Sequence, residues 1–322
     1  MGAFSRAKLL IFLLATVVFV GVGISGACYY IFAKYFNERA EEEISSKAHA
    51  MGEYLEDAKR QAGNISKLSA NMKELVEAVA AKDKVRTQAI AKEIRESAGM
   101  DVVTIADDKG MVLGRGHSER TDDSVLEQAN VRSALNGVFT TGVESGTVVK
   151  FSVRGGSPLK KDGRVVGAFV AGTDLSTGDA FVDKIKKLLG VECSIYEGDN
   201  RVSTTLMKDG KRAVGSKLEN AKAREITLGR GDKFTGVGPV LGQESNTAYV
   251  AIKNGEGKIT GMLGISISRH DIQRATQEMF SPVLMTIGAI ILIAILLSFF
   301  AWSSNLLMES TLDLARMKKE GL

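Results

Sequence analysis

The chain has 322 residues, with 42 Lys and Arg against 38 Asp and Glu, for a formal net charge of +4. That length allows two or three domains with buried cores. The near balance of interleaved charges excludes the basic surface that a nucleic-acid-binding protein needs.

The chain opens on "LLIFLLATVVFVGVGISGACYYIF", residues 9–32, which carries no charge over 24 residues. At roughly 1.5 Å per residue this helix crosses a bilayer core. "FSPVLMTIGAIILIAILLSFFAW", residues 280–302, is a second such run, and both end in aromatic residues suited to a membrane interface. Arg6 and Lys8 precede the first span, and Arg316, Lys318 and Lys319 follow the second. The positive-inside rule therefore puts both termini in the cytoplasm and residues 33–279 outside. The alternative at the N-terminus is a signal peptide, since "ISGAC" approaches a lipoprotein site with Cys28 as the lipidated residue. Gly21 with Ser25 and Gly23 with Ala27 fit close helix packing in a membrane.

From Ile44 through Met51, Leu55 and Ala62 to Val79, apolar residues recur in alternating steps of four and three. Its Ala-rich composition and the Gly63-Asn64 interruption suit packing on a domain or a modest dimer contact. A turn near Lys82–Lys84 leads to a helix that ends before Gly99. Strands follow: "DVVTIAD" and "MVLGRGH" around a turn at Asp108-Lys109-Gly110. A helix is expected from the Asp122-Asp123-Ser124 cluster to Gly137. Then come "TVVKFSVR" and "GRVVGAFVAG", joined through a loop containing Pro and Gly.

A second module repeats the plan. It has the helix "DAFVDKIKKLL", strands "VECSIYE" and "RVSTTLM" around Gly198-Asp199-Asn200, and further strands near Phe234, Tyr249 and Ile259–Ile267. "KDGRVVGAFVAGTDL" and "GEGKITGMLGISIS" read as the same strand in two copies, closing each module. In each, the Gly of the turn supplies positive φ, and small residues beyond it let another backbone approach. The plainer alternative is two unrelated hairpins with ordinary turn chemistry.

Arg115 and His117 project from one strand face, as do Lys150, Ser152 and Arg154. Cations on the central strands of a small module are costly inside unless an anion meets them. Arg115, His117, Ser152 and Arg154 are therefore candidate binding residues for a small carboxylate. The alternative is a solvated strand face on which the cations sit. Asp174 closes the twin strand as a candidate for a ligand amine or hydroxyl, or as a cap for the next turn. Arg201 in "RVSTT" is a remoter second-site candidate. His49, His117 and His270 are far apart, and no paired-Cys, HExxH, nucleophile, phosphate-loop or dinucleotide spacing occurs. No metal, no cofactor, no disulfide and no enzymatic activity are expected.

The segments "DDKGMVLGRGHSERTDDSVLEQANVRSALNG", "FSVRGGSPLKKDGRVVGAFVAG" and "FVDKIKKLLGVECSIYEGDNRVSTTLMKDGKRAVGSKL" resemble the fused Cache subfamily of double Cache sensors on bacterial methyl-accepting chemotaxis proteins. The resemblance covers residues 35–280. It implies an α+β membrane protein: two tandem PAS-like Cache modules with antiparallel sheets, on a long N-terminal helix, between two transmembrane helices. The expected divisions are residues 1–8 cytoplasmic, 9–32 spanning, 33–98 helical stalk, 99–176 membrane-distal module, 177–279 membrane-proximal module, 280–302 spanning and 303–322 the start of a signalling helix. It further implies a chemoreceptor that senses a small molecule, forms a homodimer and acts on cytoplasmic signalling proteins. Alternatives are the input half of a histidine kinase or diguanylate cyclase, and a stand-alone membrane interaction protein. Two features depart from the family. No HAMP-like segment follows Trp302, which suggests a truncated receptor or an output domain on another chain, and the Tyr/Trp/Asp pattern that grips amino acids is missing.

Overall fold

The computed structural model describes residues 3–121 and 123–319. The chain divides into two compact units, one of residues up to Arg39 with those from His270 onward, the other Ala40–Arg269.

The first unit holds the start of α1 (Ala3–Ala70) and most of α7 (Arg269–Lys319). Both helices contain an 18-residue stretch apolar enough to cross a membrane, with mean hydropathy 1.8 and 2.8. Large apolar side chains there, Phe19 and Phe300 among them, are open to the surroundings, as a lipid solvent allows. Phe32 and Phe280 meet edge to face at 4.8 Å between ring centres. Pro282 lies inside α7 and does not end it.

The second unit is built on the remainder of α1. Ile44, Ala48, Met51, Leu55 and Ala62 are fully buried, so the four-and-three spacing marks a face packed on the chain's own sheets. Each large side chain of that face contributes about 1.5–3 kcal/mol by burial. The interruption expected at Gly63-Asn64 does not occur, because α1 runs through both residues to Ala70, and the break falls instead at Asn71 and Met72. There α1 ends, Met72 is exposed, and α2 (Lys73–Ala80) starts anew. Asp83 caps α3 (Lys84–Ala98) by accepting from the Arg86 amide, and Gly99 ends it at φ 60°.

Two five-stranded antiparallel sheets follow. The first contains β1 (Val102–Asp107), β2 (Val112–Arg115), β3 (Thr140–Ser145), β4 (Phe151–Lys161) and β5 (Arg164–Asp174), in the order β2-β1-β5-β4-β3. After α5 (Ala180–Leu189), the second contains β6 (Glu192–Glu197), β7 (Asn200–Thr204), β10 (Phe234–Val240), β11 (Gln243–Lys253) and β12 (Ile259–Ser268). Between β7 and β10 lie a small ribbon, β8 (Met207–Lys208) with β9 (Lys211–Arg212), and α6 (Ala221–Ala223), which continues as a π-helix over Arg224–Arg230.

Read from the β7 edge, the second sheet runs β7-β6-β12-β11-β10, the same second-first-fifth-fourth-third order as the first. The twin strands β5 and β12 both occupy the centre. Close approach is the reason for their small residues: a Cβ on Gly167 would stand 2.3 Å from the Ala106 carbonyl oxygen, and one on Gly261 would stand 1.9 Å from that of Tyr196.

Three sequence expectations are corrected. Gly155, Gly156 and Pro158 lie within β4, and the β4–β5 connection is only the tight turn at Asp162-Gly163. The helix expected from the Asp122 cluster is α4 (Ala129–Leu135), which starts later. Asp122 itself lies outside the described residues, and Asp123 serves an ion pair instead. Strand β3 was not foreseen.

Candidate functional site

Alternation along β4 turns Phe151 and Val153 toward α1 and places Ser152, Arg154 and Gly156 on the opposite face. A cross-strand row on that face runs Arg115, Thr104, Val170, Gly156 across β2, β1, β5 and β4. Arg115 and Arg154 therefore share one face of the first sheet. Helix α4 covers it, with Asn130 resting on Gly156, where a Cβ would meet the Asn130 backbone at 2.6 Å.

Arg115 is 2% exposed and fully engaged. Its two terminal nitrogens donate to the Asp123 carboxylate at 2.6 and 2.9 Å, to the Arg120 carbonyl at 2.6 Å and to Thr147 Oγ1 at 3.2 Å. This bidentate pairing holds the Asp123 carboxyl at about 2, below its ordinary value, against the opposing effect of burial.

Arg154 differs. It is 3% exposed and donates to Ser152 Oγ at 2.7 Å, Gln128 Oε1 at 2.5 Å and the Val149 carbonyl at 3.0 Å, all neutral acceptors. Among the described residues it forms no ion pair. Burial brings its pKa down to about 10, opposed by the more distant charges of Glu144 and Asp174. His117 Nδ1 lies 3.1 Å from the Val103 carbonyl. Burial first, then the charges of Arg115 and Arg154, lower its pKa to about 4, so the ring is neutral at pH 7.

Arg115, Ser152 and Arg154 stand on one face of the first sheet, whereas His117, expected on the strand beside Arg115, lies in the turn after β2, within reach of the charges of both arginines. Asp174 stands at the edge of this group, where Oδ1 accepts from the Ser176 amide and hydroxyl and the Thr177 amide and so caps the turn after β5. Lys150 is exposed and donates to the Thr147 carbonyl.

Three polar residues of the site escaped the sequence reading. Gln128 meets Arg154. Asn130 is fully buried, and neither its Oδ1 nor its Nδ2 has a partner among the described residues. Glu144 of β3 is 4% exposed; its carboxylate accepts from the Gly255 amide at 2.9 Å and the Ala129 amide at 3.3 Å, and burial raises its pKa. A buried cation without a paired carboxylate, on the same sheet face as an unused amide, is chemically suited to a carboxylate carrying a second polar group.

A separate cavity of about 680 Å³ lies on the other side of the module, between the α1–α2 break and the β4–β5 hairpin, lined by Lys67, Lys73, Phe139 and Lys160. Size alone gives it no claim on the chemistry above.

Residues 173–279, which span the second module, match the family described as "Single cache domain 3". No curated protein matches the chain. Among solved structures, an extracellular domain assigned to a histidine kinase, vpHK1S-Z8, is similar at 12% identity over 74% of this chain and 98% of that one, with a TM-score of 0.52. This establishes a shared fold. The sensor domain of the V. cholerae histidine kinase DctB matches at 12% identity over 74% and 98%, with a TM-score of 0.49. The ligand-binding domain of the Campylobacter jejuni chemoreceptor Tlp3, in complex with 4-methylisoleucine, matches at 12% over 74% and 93%, with a TM-score of 0.46. The chain is thus an α+β protein with antiparallel sheets, a Cache-family match over residues 173–279 and two helices able to cross a membrane.

Proposed function

We propose that the protein is an extracytoplasmic small-molecule sensor of the double Cache type, the input region of a bacterial chemoreceptor, and that its first module binds a small carboxylate. The first module is assigned as Cache because its strand order repeats that of the second, which carries the family match. The carrying observation for the site is Arg154: buried, without an ion pair among the described residues, and on the sheet face where Asn130, its amide unpartnered, rests on Gly156. In this reading the body faces the periplasm, both termini are cytoplasmic, and two copies act together on cytoplasmic signalling proteins.

Glu144 supports a route out of the site. It binds the start of α4, which covers the Arg154 face, and also the Gly255 amide in the turn before β12. β12 ends at Ser268 and α7 begins at Arg269 with no residue between. A ligand shifts such a system only by the difference in its affinity for two arrangements.

Titration calorimetry of the full chain in detergent against small mono- and dicarboxylates tests the site. Arg154→Met should weaken binding at least about tenfold, the effect of losing one charge-assisted contact. Unchanged affinity in a folded Arg154→Met chain, or no binding by any carboxylate, would overturn it.

A further inference from the structure

We propose that the second module carries its own binding site for a small monocarboxylate, built on Arg201 and independent of the Arg154 site.

The argument rests on the repeat. In the first sheet the row Arg115, Thr104, Val170, Gly156 crosses the second, first, fifth and fourth strands. In the second sheet the row Arg201, Tyr196, Met262, Ala251 crosses the same strand positions, β7, β6, β12 and β11. Both rows lie on the face turned away from α1. Arg115 and Arg201 are equally buried, each 2% exposed.

They differ in what neutralises them. Module one sends its own carboxylate, Asp123, from the segment after β2 to form a bidentate pair with Arg115. The corresponding segment after β7 sends Ser216, whose hydroxyl accepts from Arg201 Nη1. Nη2 donates to the Tyr196 hydroxyl at 2.6 Å, and the guanidinium sits 5.0 Å from the centre of the Tyr196 ring. Nε is buried without a partner, and among the described residues no carboxylate lies within ion-pair distance. Glu219 is exposed, accepts from the Gly242 amide and acts on Tyr196 only through its charge. A permanently charged fork is thus held in the protein interior by two neutral hydroxyls, with Nε unpartnered. A carboxylate is the group that fits such a fork.

The surroundings set the rest of the ligand. Tyr196 and Tyr249 meet at 6.2 Å, Phe234 packs on Tyr249 at 6.2 Å, and Met262 and Leu218 complete the cluster. Such an apolar shell suits a hydrocarbon or aromatic tail that parts the cluster on entry, and it leaves one charge to satisfy, hence a monocarboxylate. Ile226 and Leu228 of the π-helix pack on the cluster as its cover. π-helical turns are rare and concentrate at functional sites.

The test removes the first-module site before looking for the second. The full chain carrying Arg154→Met, in detergent, is titrated by calorimetry with acetate, propionate and benzoate, with chloride as the control anion. One equivalent of carboxylate should still bind, more tightly for benzoate than for acetate, and Arg154→Met/Arg201→Met should abolish it. Near-ultraviolet circular dichroism reports whether that double variant folds. If it does not, Arg201→Lys in the same background, which keeps the charge and loses the planar fork, should weaken binding at least about tenfold. No binding to the Arg154→Met chain, or binding indifferent to Arg201, overturns the proposal. Neither result bears on the Arg154 site, which is judged by comparing the wild-type chain with Arg154→Met.

Discussion

Two arginines on one face of the first sheet and the neutral His117 beside them behave in three ways, and each difference has a local cause. Arg115 is paired, and replacing its partner by Asp123→Asn leaves a buried charge short of a countercharge. That change should cost about 3–5 kcal/mol in denaturant unfolding. The pH dependence has a definite sign. The Asp123 carboxyl titrates at about 2 in the folded chain against 3.8 ordinarily. Its contribution, roughly 2 kcal/mol, is therefore complete above pH 4 and lost as pH falls toward 2. Asp123→Asn should flatten that part of the stability profile. His117 also has a lowered folded pKa, about 4 against 6.5. The unfolded chain takes up its proton first, so stability declines as pH falls from 6.5 toward 4. Nuclear magnetic resonance of the His117 ring should give a midpoint near pH 4, and a bound anion should raise it. A midpoint near 6.5 would mean that the ring is neither buried nor under the influence of the two arginines.

Elements with one clean period were legible in the sequence, and elements whose residues serve two purposes were not. The hairpins around Gly110 and Gly198, the helix α3 with its Gly99 stop, and both twin strands follow directly from alternation and turn residues. Strand β4 was cut short because Gly155, Gly156 and Pro158 read as a loop. The structure uses those residues for contact: a Cβ on Gly155 would stand 2.7 Å from the Ala62 carbonyl oxygen of α1. Gly155→Val should therefore destabilise the fold by roughly 2–3 kcal/mol through overpacking, measurable as a lower unfolding midpoint. Strand β3 was missed because "TTGVES" has little apolar alternation, and Glu144 was missed with it. The start of α4 was misplaced because Asp123, a good capping residue by type, is taken by Arg115. The Arg115, His117 and Arg154 cluster could be inferred because cations on central strands stand out. Asn130 and Gln128 could not, since their importance comes from a helix lying across Gly156, a contact without a sequence signal.

At the scale of the whole molecule, one sheet plan is used twice, and α1 supplies a single apolar face to both copies. The repeat makes differences between the copies informative, since shared geometry isolates the substituted chemistry. Orientation in a membrane can be checked on intact cells. In a Cys28→Ser background, a cysteine at Val85, which is 84% exposed, should react with a membrane-impermeant maleimide. Protection there, with labelling only after the cells are opened, would place residues 40–269 in the cytosol and end the sensor reading.

The last strand passes to α7 at Ser268 and Arg269 with no residue between them. Each residue inserted at that point would turn all that follows by about 100° and advance it by about 1.5 Å. Extra lengths of one, two or three residues should therefore scramble any output that depends on which side of the helix faces a partner. An insertion of seven, close to two full turns, should restore the output's phase, as a key cut to the same profile on a longer shank still fits its lock.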